Sequence, residues 1–237
     1  MGKTARHSGI WVLTAGFLWT GLCARAQTSE LPPTRLDATA ASRLLRSHDQ
    51  PEYPPVAKLN FIQGAVRLQV LVSTEGRVRE AHVLAGHPIL AASALRSVHD
   101  WLFRPFKTKD GPTPFSTLVD VVFSLQIKKL TPFPAHPDEY LDRQVKPPEI
   151  LQAPSRASDG DSVRLRVLVG DTGEAIDTRP LSGRPAHYAA ARKIVSCWTF
   201  KPALWGSLAI PWYLDVDVPV EAWIAAGGPA NPPSGCP

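Results

Sequence analysis

The sequence predicts an α+β protein made of two tandem small β-β-α-β modules, each a three-stranded antiparallel sheet packed on a helix. The first observation is a repeat at a constant spacing. Val66 to Val72 (VRLQVLV) returns as Val163 to Val169 (VRLRVLV), and each first-copy position lies 97 residues before its second-copy counterpart. Gly76, Gly86, Pro88, Trp101, Phe103 and Pro105 return at the same spacing as Gly173, Gly183, Pro185, Trp198, Phe200 and Pro202. Self-similarity at a fixed interval means one structural unit used more than once. The second observation is that apolar residues alternate along two runs in each copy and then change to helical spacing. The third is an interval between the copies that carries Pro132, Pro134, Pro137, Pro147 and Pro148, a composition that makes a semi-stiff spacer.

The order of elements follows from these patterns. Lys3 and Arg6, the apolar stretch from Ile10 to Ala24 and the small-x-small site Ala24-Arg25-Ala26 read as an export signal over residues 1–26. Its apolar stretch is short of the about 20 residues a bilayer span needs; a retained signal anchor is the alternative. Residues 27–52 are expected to form a flexible tether with one modest helical stretch from Leu36 to Arg46. Tyr53-Pro54-Pro55 fixes an extended start, because proline disfavours helix at the preceding residue. The first module then covers 53–127. Val66, Leu68, Val70 and Val72 share one face of a half-buried strand, and Ser73-Thr74-Glu75-Gly76 turns the chain into a second strand, Val78 to Leu84. Gly86-His87-Pro88 opens a helix with proline where a missing N–H costs nothing, and Leu90, Ala94, Leu95 and Val98 line its apolar face. Trp101 to Pro105 ends it, and Phe115 to Ile127 is the last strand.

A Pro-rich linker (128–146) leads to the second module (147–221), with strands Ser162 to Val169 and Ala175 to Leu181, a helix from Pro185 to Cys197, and a last strand from Pro211 to Val220. Residues 222–237 read as a disordered tail. Each module is of a size that buries only roughly 60% of its unfolded surface, so Trp101 and Trp198 matter as core bulk.

Composition and motifs exclude most chemistry. Removing residues 1–26 takes away Lys3, Arg6 and Arg25 and no acid, so the formal charge falls from +5 to +2; this does not call for nucleic acid as a partner. The seven histidines show no metal-ligand spacing, and His82, His87 and His99 are spread over a strand, a helix start and a helix end. No catalytic residue, metal site or cofactor is expected. Asp215, Asp217 and Glu221 read as an ordinary polar strand face, and Asp120 and Asp217 stand 97 apart. Arg67, Arg164, Arg104 and Lys201 read as solvated cations. Only Cys197 and Cys236 remain after cleavage; Cys197 is either a small buried hydrophobe or paired with Cys236 in a structural disulfide.

Several dispersed signatures carry a resemblance. They are Tyr53-Pro54-Pro55-x-Ala57, the alternating run Gly64 to Val72, the turn at Gly76, Gly86-His87-Pro88-x-Leu90, Ala94-Leu95-x-x-Val98 and Trp101-x-Phe103-x-Pro105. In this order they resemble the C-terminal domain of TonB proteins, over 53 to 126. The second copy resembles it more weakly, keeping the glycine and Trp-x-Phe-x-Pro positions but having Lys146-Pro147-Pro148 in place of the Tyr-Pro start.

The resemblance implies a periplasmic, non-enzymatic domain that docks on segments of outer-membrane TonB-dependent receptors. It also implies contact with inner-membrane ExbB/ExbD-type motor proteins if the N-terminus is retained, and then an inner-membrane anchored location. The working edge would be the last strand, with Leu118, Val119, Asp120, Val121, Val122, Phe123, Ser124 and Leu125 as the candidate partner-binding residues. The equivalent second strand is bracketed by Pro211 and Pro219. The rival expectation is a static scaffold or cell-wall-associated adaptor, in which the second module caps the first or the chain forms a homodimer through free edges.

Overall fold

The computed structural model describes residues 33–125, 143–153 and 162–220. The first lobe runs β1 (Thr34–Arg35), α1 (Ala38–Leu44), β2 (Leu45–Ser47), α2 (Pro55–Leu59), β3 (Gly64–Val72), β4 (Val78–Ala85), α3 (Pro88–His99), β5 (Leu102–Phe103), β6 (Lys107–Thr108), β7 (Gly111–Pro112) and β8 (Phe115–Phe123). The second runs β9 (Val145–Lys146), β10 (Glu149–Gln152), β11 (Ser162–Val169), β12 (Ala175–Ser182), a 3-10 turn (Pro185–His187), α4 (Tyr188–Val195), β13 (Thr199–Lys201), β14 (Ala203–Trp205), β15 (Leu208–Ile210) and β16 (Trp212–Pro219).

The central sheets are antiparallel, in the orders β1-β8-β3-β4 and β12-β11-β16, with only the added β1 pairing parallel. Alternation sends Val66, Leu68, Val70 and Val72 into the core with no exposed surface, and α3 covers them with Ile89, Leu90, Ala94, Leu95 and Val98. The local bonds recur 97 residues apart. Phe103 N donates to Gly76 O at 2.8 Å and Phe200 N to Gly173 O at 3.1 Å. Register shifts fall at Arg67/Leu68 and Leu71/Val72 in one sheet and at Arg164/Leu165 and Leu168/Val169 in the other.

Several expectations are corrected. The first sheet has four strands, because Thr34 N and Leu36 N donate to the carbonyls of Pro114 and Ser116 at 3.0 and 2.9 Å. Within the expected tether, residues 34–52 are folded onto the lobe: Asp37 caps α1 by accepting from Ala40 N at 2.7 Å, Ala41 is buried, and β2 pairs with β5. The counterpart of Lys146-Pro147-Pro148 is not the Tyr53 start. β10 pairs with β13 in the register by which β2 pairs with β5, including the same shift (Leu45↔Phe103 and Ser47↔Leu102 against Ile150↔Phe200 and Gln152↔Thr199). Finally, β8 ends at Phe123, where Leu125 N turns to Gln63 Oε1 at 2.8 Å, and β16 spans Trp212 to Pro219. The helix expected from Pro185 begins as a 3-10 turn and is α-helical from Tyr188 to Val195.

The lobes share a core. Leu168, Ala203 and Ile210 of the second lobe are buried in the same cluster as Val66 and Leu90, with Ile176, Trp212 and Tyr213 packed against it, so the expected spacer does not hold the lobes apart. Tyr213 OH donates to Gly86 O at 3.3 Å, and Trp212 meets the His87 ring edge-on at 5.5 Å. Burial pushes the Tyr213 phenol up to about 12. A phenol ordinarily titrates near about 10, so its folded-state shift stabilises the protein below that pH and is lost as the pH rises towards the raised value. Denaturant midpoints should therefore fall on going from pH 10 to 12, and Tyr213→Phe should remove part of that fall; equal slopes for both proteins would rule this contribution out. Absorbance of the phenolate identifies the titrating group.

Candidate functional site: an open strand edge beside a groove

Side chains of β8 alternate. Phe115, Thr117, Val121 and Phe123 are buried, while Leu118 and Val122 stand outward at 45% and 68% exposure. Backbone groups alternate as well. Residues of one parity direct N–H and C=O to one neighbouring strand, and those of the other parity to the other. Pro114 and Ser116 turn their carbonyls away from β3, towards β1. By the same alternation Leu118, Asp120 and Val122 direct their backbone groups to that outer edge, where no strand pairs with them among the described residues. β1 thus covers the edge at Phe115 and Ser116 and leaves it bare from Leu118 onward.

A groove of about 1010 Å³ runs beside the bare stretch. Leu118 to Ser124 line it from the strand, Ala38, Ala41 and Ser42 from α1, and Leu45, His48, Gln50, Pro51, Tyr53, Arg67, Trp101 and Phe103 complete it. Tyr53 is held there by its OH, which donates to Ile62 O at 2.6 Å, and by an edge-on contact with Phe123 at 5.5 Å. Trp101 Nε1 donates to Asp49 O and Ser97 Oγ at 3.2 and 3.3 Å. In the middle of the outward face Arg67 grips Asp120 through Nε and Nη2 at 2.8 and 2.9 Å, and the guanidinium holds the Asp120 carboxyl below its usual range. A neutralised pair between two apolar positions leaves no bare charge facing an incoming strand.

The expected site residues divide accordingly. Leu118, Val119, Asp120, Val121, Val122, Phe123 and Ser124 all line the groove, and Leu125 lies past its end. Gly76 and Gly173 (φ +85° and +90°) lie against the carbonyls of Phe103 and Phe200, while Gly86 and Gly183 lie against Val66 and Val163. Pro54 precedes α2 and Pro88 starts α3. Pro185 starts the 3-10 turn, and Trp198 and Phe200 are buried in the second core. Gly64 begins β3; Pro105 and Pro202 follow β5 and β13. Cys197 is disulfide-bonded; Cys236 lies outside the described residues. No cluster of potential metal ligands occurs among the described residues.

Sequence reasoning did not find β1, β2 or the role of α1 as a wall. An Asp before an alanine-rich run was the one available signal, since Asp is a strong helix N-cap.

β16 presents a poorer edge. At the positions 97 residues after Leu118 and Val122 stand Asp215 and Pro219. Arg166 grips Asp215 at 2.7 and 2.9 Å and holds its carboxyl below the usual range. Pro219 has no N–H to offer, and Tyr213 is engaged with Gly86.

An α+β lobe with one bare strand edge beside a groove of mixed polar and apolar lining has the geometry of a strand-addition module, in which main-chain bonds supply affinity and side-chain pockets supply selectivity. Residues 49–125 match the family model described as Gram-negative bacterial TonB protein C-terminal. The matched family is one of protein-interaction domains and not of enzymes. The solution NMR structure of the Pseudomonas aeruginosa TonB CTD is similar at 20% identity and a TM-score of 0.31, covering 36% of this chain and 88% of that one. No curated protein matches the chain. Among the described residues, no helix is long and apolar enough to cross a membrane.

Proposed function

We propose that this chain is a periplasmic TonB-like protein that binds extended segments of outer-membrane TonB-dependent receptors on the edge of β8, in support of energy-coupled transport. The observation that carries this reading is the bare edge at Leu118, Asp120 and Val122 beside the groove. The family match on residues 49–125 supports the class of partner. The second lobe reads as a divergent copy of the same domain that supports the first. Contact with ExbB/ExbD-type motor proteins belongs to this proposal only if the N-terminal segment is retained, and the N-terminus of the mature protein tests that.

Leu118→Pro is the decisive variant. It removes an N–H directed to the open edge and leaves the β3 ladder intact, whereas Val121→Pro would break pairing with Val66 inside the core. Affinity for synthetic receptor plug segments, measured by calorimetry, should fall at least about tenfold, or about 1.4 kcal/mol, with the circular dichroism unchanged. A folded Leu118→Pro protein that bound those peptides as well as the wild type would overturn the reading.

A further inference from the structure

The first sheet has a second edge, β4, and an exposed strand edge templates the addition of another strand. In the register of β3 and β4, Arg67 faces Ala85 and Leu68 faces Val83, so Leu84 is a bulge residue without a partner on β3. Val83 directs its N–H outward. Both groups are met by side chains of β12: Asp177 Oδ2 accepts from Val83 N at 2.7 Å, and Arg179 Nη1 donates to Leu84 O. The other Asp177 oxygen lies 2.9 Å from His82 Nδ1, and Arg192 Nη1 lies 3.4 Å from His82 Nε2. Glu80 Oε2 lies 3.7 Å from the same Nε2. The Asp177 side chain is 6% exposed. A carboxylate is rarely buried without such partners, and every partner named here lies across the lobe boundary or fixes the acid to it.

β12 is itself the edge of the second sheet, yet it forms no ladder with β4. Pro180, between the two capping residues and Leu181, has no N–H with which to start one. The two edges therefore meet through side chains.

We infer that the second lobe is a built-in cap of the first: Asp177 and Arg179 take the place of a pairing strand along Val83 and Leu84, and so prevent a second copy of this chain from pairing there. The occupant excluded is a second copy because β4 offers eight residues, Val78–Ala85, with Ala81 and Val83 buried. Two such strands meeting antiparallel form a self-complementary interface. The cap leaves β8 as the better edge of the first sheet for a partner, and it stands whether or not receptor segments bind there.

The test is the full chain carrying Asp177→Ala and Arg179→Ala, with Asp177→Asn as the control that keeps an acceptor for Val83. Hydrogen exchange at the Val83 amide should quicken at least tenfold in the double variant. Self-association by sedimentation should tighten at least tenfold over wild type, with the new contacts mapped to Val78–Ala85. The control should stay close to wild type on both measures. A folded double variant with unchanged exchange and unchanged association overturns the inference, and so does faster exchange with no gain in association. Should the double variant fail to fold, Arg179→Ala alone, which removes the contact with Leu84 O, decides by self-association: a folded Arg179→Ala protein that associates no more tightly than wild type overturns the inference.

Discussion

Replacing Trp101 by alanine should destabilise the first lobe by about 3–5 kcal/mol, the usual cost of deleting a large buried aromatic side chain. Trp101 is 7% exposed and belongs to the main core cluster. It also does something the other buried aromatics do not. Its indole N–H bonds Asp49 O and Ser97 Oγ, and its ring meets His48 edge-on at 5.6 Å, so it ties residues 48–49 to the end of α3. Those residues follow α1 and β2, which wall the groove. Urea unfolding should therefore show the lost stability, and peptide binding should weaken in the fraction that remains folded. A loss below about 1.5 kcal/mol would mean that the site collapses around the missing ring and that the structural argument is wrong. The second lobe supplies a matched comparison. Trp198 Nε1 is buried with no hydrogen-bond partner among the described residues, so Trp198→Phe should fall within about 0.5 kcal/mol of wild type while Trp101→Phe costs about 1–2 kcal/mol.

Gly76→Ala should cost about 2–4 kcal/mol, and Gly173→Ala a similar amount. A Cβ on Gly76 would stand 2.0 Å from Phe103 O at a φ of +85°, and one on Gly173 would stand 2.1 Å from Phe200 O at +90°. The obstacle is backbone in both cases, so a change of rotamer cannot relieve it. The same turn accepts the β5 amide, since Phe103 N donates to Gly76 O, and forcing the strands apart would also break that bond. Gly111 separates the two causes. Its φ is +116°, and no atom lies within 4 Å of the point a methyl group would occupy, so Gly111→Ala should cost only the conformational share, about 1–2 kcal/mol. Thermal melts of the three variants would show the ordering; equal losses at Gly76 and Gly111 would mean that the approach to Phe103 O is unimportant.

Much of the fold was legible because its signals are local. Alternation from Val66 to Val72 and from Val163 to Val169 marked β3 and β11, and the turn glycines marked the hairpins. Pro88 marked the start of α3. The expectation of a working edge on the last strand, at Leu118 to Leu125, came from the family resemblance and not from a local signal. What escaped was short and paired at long range. β1 is two residues long and β2 three, too short to show a period, and their partners lie about 55–80 residues further along the chain. The alignment of Lys146-Pro147-Pro148 with the Tyr53 start failed for a related reason. Similar residues stood at similar positions, but the bonds that define the counterpart run between Ile150 and Phe200.

The sequence by itself determined that one β-β-α-β pattern occurs twice, that its cores rest on Trp101 and Trp198, and that the two last strands differ, with Leu118 and Val122 answered by Asp215 and Pro219. Those properties follow from side-chain period and residue type, which neighbouring positions carry. The tertiary structure alone decided which edges are bare. It placed Thr34 and Leu36 on the first half of β8 and Asp177 and Arg179 on β4. An edge is closed only when a distant backbone or side chain meets its unpaired N–H and C=O groups, and that meeting depends on how the lobes pack.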